Sequence, residues 1–253
     1  MKFKNLHKQE QPLLLGNVWD VPSTKLAEKL HFQALGTSSS AIASLLEYKD
    51  GEEMKFSELE YMVNRIALNT TLPLSVDLES GYSLQPKEIA NHIKRLVDIG
   101  VVGINIEDSR VAHERILLDA DEFSKILAEV NSILLEENVD VFMNVRTDTF
   151  LLNHPNVIDE TKKRIRLYEG AGAHGIFIPG IEKVTDIKEM VTCTRLPINV
   201  MSMPNLPDFE TLTTLGVKRM STGNFLFTKM YDQLENSTKE LLKQKSFKSI
   251  FTC

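Results

Sequence analysis

The chain has 253 residues, of which 42% are hydrophobic and 25% are charged, and its net charge at pH 7 is −6. This composition is typical of a folded globular protein and excludes a disordered or low-complexity chain. No apolar run approaches the roughly 20 residues that cross a bilayer. The acidic balance argues against a nucleic-acid groove, so we expect neither a nucleic acid nor a membrane as partner.

Cysteine usage indicates the cellular compartment. Cys193 and Cys253 are too few for a disulfide framework or a cysteine metal site. The N-terminal segment MKFKNLHKQEQ is polar and lacks the apolar stretch of a signal peptide. Together these observations predict a cytoplasmic protein.

Short apolar runs recur along the chain and predict eight strands. They are rich in Val, Ile and Leu without clean alternation, which is typical of parallel strands buried on both faces. The predicted strands cover residues 13–18, 33–38, 72–79, 101–108, 141–148, 175–180, 196–203 and 218–223.

The segments between these strands show helical spacing of apolar residues, and several end at a glycine. They predict helices over 86–99, 119–135, 161–169, 182–192 and 208–215. Strand and helix thus alternate eight times, which predicts a single (β/α)8 TIM barrel over residues 1–253. The alternative, an open doubly wound sheet, is less favoured because no G-x-G-x-x-G follows the first strand.

The end of the chain differs from the strand–helix units before it. Residues 229–253 read as a charged, amphipathic helical tail. Its apolar positions would either face solvent or pack against another subunit.

Charged residues collect where the predicted strands end, the rim that holds the active site in such barrels. Asp77 and Glu79 close the third strand, and their spacing would place both side chains on one face. The next strand ends at Glu107. Three crowded carboxylates without His or Cys favour a hard cation, Mg²⁺ or Mn²⁺. The alternative is that some of them form ordinary salt bridges at the rim.

Two further features suit an anionic ligand. Arg146 ends the fifth strand, and its guanidinium matches a carboxylate or phosphate. The segment GTSSSA (36–41) ends the second strand and opens a helix, where small residues and backbone N–H groups favour anions. A serine N-cap explains the same segment equally well.

Several segments carry a family resemblance. VDLESGYS (76–83) resembles the D-x-D/E-x-G-Y-G segment of the isocitrate lyase/phosphoenolpyruvate mutase superfamily, and GINIEDS (103–109) resembles its G-x-x-[IL]-E-D segment. NVRTDTF (144–150), TSSSAIASLLEYKDGEEM (37–54) and GVKRMSTG (216–223) are also similar to segments of that superfamily, in the same order. The similarity extends over roughly residues 13–230.

The resemblance implies a (β/α)8 barrel whose last helix is swapped between the subunits of a homodimer or homotetramer. It implies chemistry through the enolate of a small 2-oxo acid. It also implies roles for individual residues: Mg²⁺ held largely through water by Asp77, Glu79 and Glu107; the substrate carboxylate bound by Ser38 and Ser39; Asp50 lying over the substrate; and Arg146 holding its anionic groups.

One loop departs from the family pattern. The lyases carry a K-K/R-C-G-H loop after the fourth strand, whose cysteine donates the catalytic proton. The corresponding segment here, RVAHERI (110–116), has no cysteine, and neither Cys193 nor Cys253 can replace it by position. The K-T-N loop of the phosphonopyruvate enzymes is also absent. His113 remains as a candidate proton donor, with Tyr82 as a second candidate and substrate contact, and Trp19 is expected to line the pocket.

The sequence therefore predicts a Mg²⁺-dependent lyase that cleaves a C–C bond in a small 2-oxo or 2-hydroxy di- or tricarboxylate. Decarboxylation of an oxaloacetate-like acid suits the missing cysteine, since water could supply the proton. The alternatives are P–C bond chemistry on a phosphonopyruvate-like substrate and a barrel that binds a 2-oxo acid without turning it over.

Overall fold

Eight segments pair side by side as parallel strands in the computed structural model, which describes residues 2–251. We number them in chain order as β1 (Leu13–Leu14 and Gly16–Val18), β2 (Leu35–Thr37), β3 (Leu74–Asp77), β4 (Val101–Glu107), β5 (Phe142–Arg146), β6 (Gly175–Ile178), β7 (Ile198–Met201) and β8 (Arg219–Ser221). All eight lie where the apolar runs predict them.

The first strand closes the sheet into a barrel. Its first half pairs with β8 through Leu13 and Arg219, whereas its second half pairs with β2 through Gly16 and Leu35. Every neighbouring pair in this sheet is parallel. The fold is therefore an α/β barrel of the TIM type, and the open-sheet alternative is wrong.

Helices cover the outside of the barrel. They are α1 (Lys2–Leu6), α2 (Val21–Lys29), α3 (Ser39–Leu45), α4 (Phe56–Ala67), α5 (Pro86–Asp98), α6 (Ala120–Glu136), α7 (Val157–Gly170), α8 (Val184–Thr192), α9 (Phe209–Leu215), α10 (Phe225–Gln244) and α11 (Lys248–Phe251). Within residues 2–251 no helix has the length and apolar character needed to cross a membrane.

Helix α5 illustrates why these segments form. Pro86 occupies its first turn, where a missing N–H costs nothing, and Ile89, Ile93 and Leu96 repeat at helical spacing. These three side chains are buried against the sheet. The helix gives way to Gly100, whose φ of +98° suits a residue without a side chain.

The tail begins earlier than predicted. Helix α10 starts at Phe225 rather than at residue 229, and nearly all of its side chains are exposed. Helix α11 follows it, and Cys253 lies outside the described residues. Exchange of the last helix between subunits involves a second chain, so that part of the fold stays a prediction.

The amino-terminal end of the barrel is closed by helix α1. His7 stacks on Phe142 with ring centroids 4.2 Å apart and meets Phe3 edge-on at 5.0 Å. Its Nδ1–H donates to the Phe3 carbonyl oxygen at 3.2 Å. Burial lowers the pKa of His7 to about 4, and the charge of Arg219 is the second largest cause of this shift. The folded protein therefore holds the ring neutral at pH 7.

The buried His7 predicts a loss of stability in acid. The unfolded chain takes up a proton near the ordinary pKa of 6.5, whereas folded His7 does so only near 4, so the stability that it contributes above 6.5 is lost as pH falls through this interval. We expect the free energy of unfolding to decrease by roughly 3 kcal/mol from this group.

Urea unfolding at pH 7 and pH 4 measures this loss. His7→Leu should remove about this share of the acid sensitivity, while His113→Gln, at an exposed position, should retain it in full. Equal acid sensitivity in the wild type and His7→Leu would contradict the assignment.

Candidate active site

A cavity of about 260 Å³ opens at the carboxyl ends of the strands. Small and charged side chains from β1, β2, β3, β4, β5 and β8 reach it, which is the rim that the sequence predicts for the site. Its lining includes Asn17, Ser38, Ser39, Asp50, Asp77, Asn105, Arg146, Arg219 and Ser221.

Asp77 and Glu79, the two acids at the carboxyl end of β3, are placed differently from the prediction. The strand ends at Asp77 rather than at residue 79, and Glu79 has a left-handed φ of 54°. The two carboxylates therefore do not share a strand face. Glu79 instead lies in a turn, where its carbonyl oxygen accepts the N–H of Glu107 at 2.8 Å. Left-handed backbone at non-glycine residues is costly, and it concentrates at functional sites.

Asp77 and its neighbour Ser39 connect β3 to the segment after β2. The Ser39 hydroxyl donates to Asp77 Oδ2 at 2.8 Å. The other carboxylate oxygen, Oδ1, is buried and finds no partner among the described residues. Ser38 acts as the N-cap of α3, its Oγ accepting the Ala41 N–H at 3.4 Å, while it also lines the cavity.

Glu107 lies between two arginines. Arg146 Nη1 is 3.0 Å from Glu107 Oε2, and Arg115 Nη1 contacts Glu107 Oε1. Arg146 also donates from Nε and Nη2 to the two oxygens of Asp148, at 2.6 and 3.0 Å. Its guanidinium is thus already engaged by two carboxylates of the protein itself.

Arg115 was missed by the sequence analysis. It lies on a hairpin formed by Ser109–Val111 and Arg115–Leu117, inserted between β4 and α6. Besides Glu107, it contacts Asp50 Oδ2 at 2.9 Å and Asp148 Oδ2 at 3.3 Å. Arg110 on the same hairpin instead approaches Glu52 at 3.5 Å. No sequence signal distinguishes these two arginines, because only the hairpin register decides which one points inward.

Burial and mutual repulsion dominate the electrostatics. Burial raises the pKa of Asp77, of Glu79 and of Glu107, the last to about 8. For Glu79, the charges of Glu107 and Asp50 raise the pKa further. Asp148 is the exception, because the charge of Arg146 and its hydrogen bonds outweigh burial and lower the pKa.

The donor set suits a divalent cation that reaches the carboxylates through water. Five carboxyl groups, those of Asp50, Asp77, Glu79, Glu107 and Asp148, face three guanidiniums, those of Arg115, Arg146 and Arg219, so the acids outnumber the bases by two, and a bound divalent cation would favour the ionised form of the acids whose pKa is raised. Within residues 2–251 no three His, Cys, Asp or Glu side chains are gathered closely enough to hold a metal directly. All-oxygen donors and retained waters are features of Mg²⁺ sites.

Three predicted site residues lie outside this constellation. Trp19 packs edge-on against Phe227 with centroids 5.3 Å apart and lines a separate apolar groove. Tyr82 packs against Phe56, and burial raises the pKa of its hydroxyl. His113 is exposed in the hairpin. The functions proposed for them stay predictions.

An α/β barrel with acids and arginines gathered at its carboxyl rim has the architecture of a barrel enzyme. The sequence profile described as phosphoenolpyruvate phosphomutase matches residues 3–242. The chain belongs to the phosphoenolpyruvate mutase/isocitrate lyase superfamily.

Known relatives agree with this membership. An uncharacterized protein of Mycobacterium tuberculosis is 35% identical over 229 residues, which cover 88% of this chain and 82% of that protein. Oxaloacetate decarboxylase of Ectopseudomonas mendocina is 28% identical, with 88% of this chain and 77% of the enzyme covered. The crystal structure of a Burkholderia cenocepacia protein provisionally described as a phosphonomutase superposes with a TM-score of 0.89 at 34% identity, over 94% of this chain and 98% of that one.

Proposed function

We propose that this protein is a Mg²⁺-dependent lyase that cleaves a C–C bond in a small 2-oxo or 2-hydroxy di- or tricarboxylate, with decarboxylation of an oxaloacetate-like acid as the leading reaction. The observation that carries the proposal is the excess of carboxylates around a small cavity that also contains arginines. Similarity to a protein named oxaloacetate decarboxylase supports it.

The residues of the cavity suggest how the reaction would proceed. Asp77, Glu79 and Glu107 would hold the hydrated Mg²⁺, which would polarise the 2-oxo oxygen of the substrate. Ser38 and Ser39 would hold the carboxylate next to that oxygen. In decarboxylation the C–C bond to the leaving carboxylate breaks, CO₂ departs, and the electron pair passes to the 2-oxo oxygen as an enolate. Water then protonates carbon 3 and pyruvate forms.

The proton source separates this reaction from that of the cysteine-bearing lyases. The hairpin that stands in place of their loop has no cysteine, and His113 is exposed on it. A decarboxylase can use water as its proton source, whereas a retro-aldol lyase needs a positioned acid for its leaving fragment. This difference favours decarboxylation.

A panel experiment tests the proposal. The purified protein is incubated with Mg²⁺ and oxaloacetate, malate, citramalate and 2-methylisocitrate. Release of pyruvate, or of glyoxylate in the case of malate, is followed above the rate that Mg²⁺ alone produces. Turnover of oxaloacetate is the expected result. No turnover of any acid would contradict the proposal, and Mg²⁺-dependent oxalate binding in that case would indicate a barrel without activity.

Phosphonate chemistry is the second candidate because of the similarity to the Burkholderia cenocepacia protein. Phosphorus NMR of incubations with phosphonopyruvate would detect cleavage or rearrangement of the P–C bond. A phosphorus product without turnover of the carboxylic acids would favour this candidate over the decarboxylase.

We also propose that the tail mediates self-association. An apolar groove of about 450 Å³ lies between α2 and the start of α10, lined by Trp19, Leu26, Leu30, Phe32, Leu226 and Met230. Along α10, Leu234 and Leu242 are 60% and 68% exposed. A second copy of the chain could fill the groove with this same helix, which would bury both surfaces at once.

The self-association is tested by the solution mass of a tail variant. Leu234→Glu combined with Leu242→Glu should lower the mass from oligomer to monomer in sedimentation velocity, because charges cannot enter an apolar interface. Asn236→Glu is the control, as residue 236 lies roughly 160° from Leu234 and roughly 120° from Leu242 around the helix. A wild-type protein that sediments as a monomer would contradict the proposal.

A further inference from the structure

Arg219 is a buried cation that the proposed reaction leaves without a function. It begins β8, its side chain is 1% exposed, and it lines the cavity. Its Nη2 donates to Asn105 Oδ1 at 3.2 Å. Neither Nε nor Nη1 has a hydrogen-bond partner within the described part of the chain, and no carboxylate there forms an ion pair with it.

Two other arginines of low exposure are neutralised by carboxylates. Arg146 is bound by Glu107 and Asp148, and Arg164 by Asp108. Burial lowers the pKa of Arg219 to about 10, so its guanidinium is still charged at pH 7. A buried charge without a partner is costly, whereas an anion that supplies the missing hydrogen bonds recovers that energy.

The register of the strands places this cation beneath the acid cluster. Asn105, which accepts from Arg219, pairs with Asp77 across β3 and β4 and lies two residues before Glu107. Alternate residues of a strand share a face, so Asn105 and Glu107 both face the barrel interior, roughly 7 Å apart along β4. Arg219 therefore forms the floor of the cavity whose rim carries the carboxylates.

A neighbouring side chain adds to the unsatisfied polar surface. Asn199 on β7 pairs with Arg219 on β8, is 1% exposed, and has neither amide atom hydrogen-bonded among the described residues. Buried polar groups in folded proteins are nearly always satisfied, so a pair of adjacent unsatisfied side chains indicates a binding position rather than packing.

We infer that Arg219 binds a second anionic group of the substrate and so selects dicarboxylates over monocarboxylates. The inference rests on the proposed function for the position of the substrate in this cavity. The first carboxylate would lie at the rim beside Ser38 and Ser39, and the second would reach down to Nε and Nη1 of Arg219. The guanidinium of Arg146 is less available for this purpose, because Asp148 binds its Nε–Nη2 edge and Glu107 contacts its Nη1.

Malate and lactate form a matched pair of probes. Both are 2-hydroxy acids, and malate carries one additional carboxylate in place of a methyl hydrogen. Isothermal titration calorimetry in buffer with Mg²⁺ should show that the wild type binds malate roughly tenfold to hundredfold more tightly than lactate, the range for a charge-assisted hydrogen bond. In Arg219→Gln the affinity for malate should fall to that for lactate, while the affinity for lactate stays unchanged.

Two further variants keep the test decisive. Arg219→Lys retains the charge but not the planar donor array, so it should keep a reduced preference for malate even if Arg219→Gln does not fold. Lys218→Gln is the control, because this neighbouring lysine contacts the Gln9 carbonyl outside the cavity. It should leave the preference unchanged.

The outcome separates this inference from the proposed reaction. A preference for malate that persists in folded Arg219→Gln overturns the inference, and so does a wild type that binds the two acids equally or binds neither. A normal preference for malate combined with no turnover of any acid counts against the reaction alone.

Discussion

Glu107→Gln is expected to lower kcat/KM for oxaloacetate by roughly 10²–10³, the range found when one electrostatic contact at a reacting centre is removed. Glu107 is contacted by both Arg115 and Arg146, and it is one of the three carboxylates that would hold Mg²⁺. Glutamine has nearly the same shape but cannot ionise, so the packing survives while the negative charge that bound Mg²⁺ would stabilise on this residue is lost.

Pyruvate release in the presence of Mg²⁺ provides the measurement. Glu114→Gln is the matched control, since Glu114 is exposed on the adjacent hairpin and its side chain contacts no acid of the site. Unfolding in urea should show that both variants remain folded. If Glu107→Gln kept more than about a tenth of the wild-type activity, the acid cluster would not be the reacting centre.

The barrel could be predicted because its strands are buried on both faces. Each apolar run ends where its strand leaves the buried sheet, so the predicted first and last residues of the strands differ from those of the structure by no more than two residues. Even a difference of two residues matters at β3, because it places Glu79 beyond the end of the strand. Its left-handed backbone depends on the turn through Gly81 and on the contact with Glu107, and neither is encoded in apolar spacing.

Residue spacing predicts the part of the site that strand order brings together, and the family resemblance adds Ser38, Ser39 and Asp50, which also line the cavity. Asp77, Glu107 and Arg146 end three adjacent strands, so their proximity follows from the topology. Arg115 and Arg219 could not be assigned, for different reasons. The hairpin that points Arg115 inward has no apolar pattern of its own. Arg219 lies inside a strand, where a charged residue would ordinarily be expected to face outward.

Helices α2 and α4 show a similar limit. Neither was predicted, although Phe56, Leu59, Val63 and Ile66 of α4 repeat at helical spacing and are buried. The segment before α4, residues 49–55, is highly charged, so the apolar repeat of α4 begins without the apolar strand that precedes a helix elsewhere in the barrel.

Arg115 occupies the position among the carboxylates that a bound metal cation would take. Its guanidinium contacts Glu107, Asp148 and Asp50, which are among the carboxylates that leave the site with excess negative charge. A divalent cation and this guanidinium would compete for the same oxygens. Arg115→Gln is therefore expected to raise the affinity for Mg²⁺ by roughly tenfold, equivalent to about 1.4 kcal/mol.

The hairpin that carries Arg115 is held independently of that contact. Val111 packs against Gly51, where an added Cβ would come within 2.3 Å of it, and Arg110 approaches Glu52. Glu52 in turn accepts hydrogen bonds from the Ser80 hydroxyl and the Tyr82 N–H, each at 2.8 Å. Replacing Arg115 should thus remove a competitor for the acids without detaching the hairpin.

Calorimetric titration with Mg²⁺, in the absence of any substrate, measures this competition directly. Lys49→Gln is the control, because it removes the same charge from an exposed side chain next to Asp50 and leaves the contacts that hold the hairpin in place. If both variants bound Mg²⁺ equally well, the effect would be one of net charge. Unchanged affinity in Arg115→Gln would mean that the guanidinium and the metal occupy different positions. An increase in Arg115→Gln alone would show that the position of the hairpin and the binding of Mg²⁺ are thermodynamically coupled. Any change that displaces Arg115 from Glu107 would then favour Mg²⁺ binding by the same free energy.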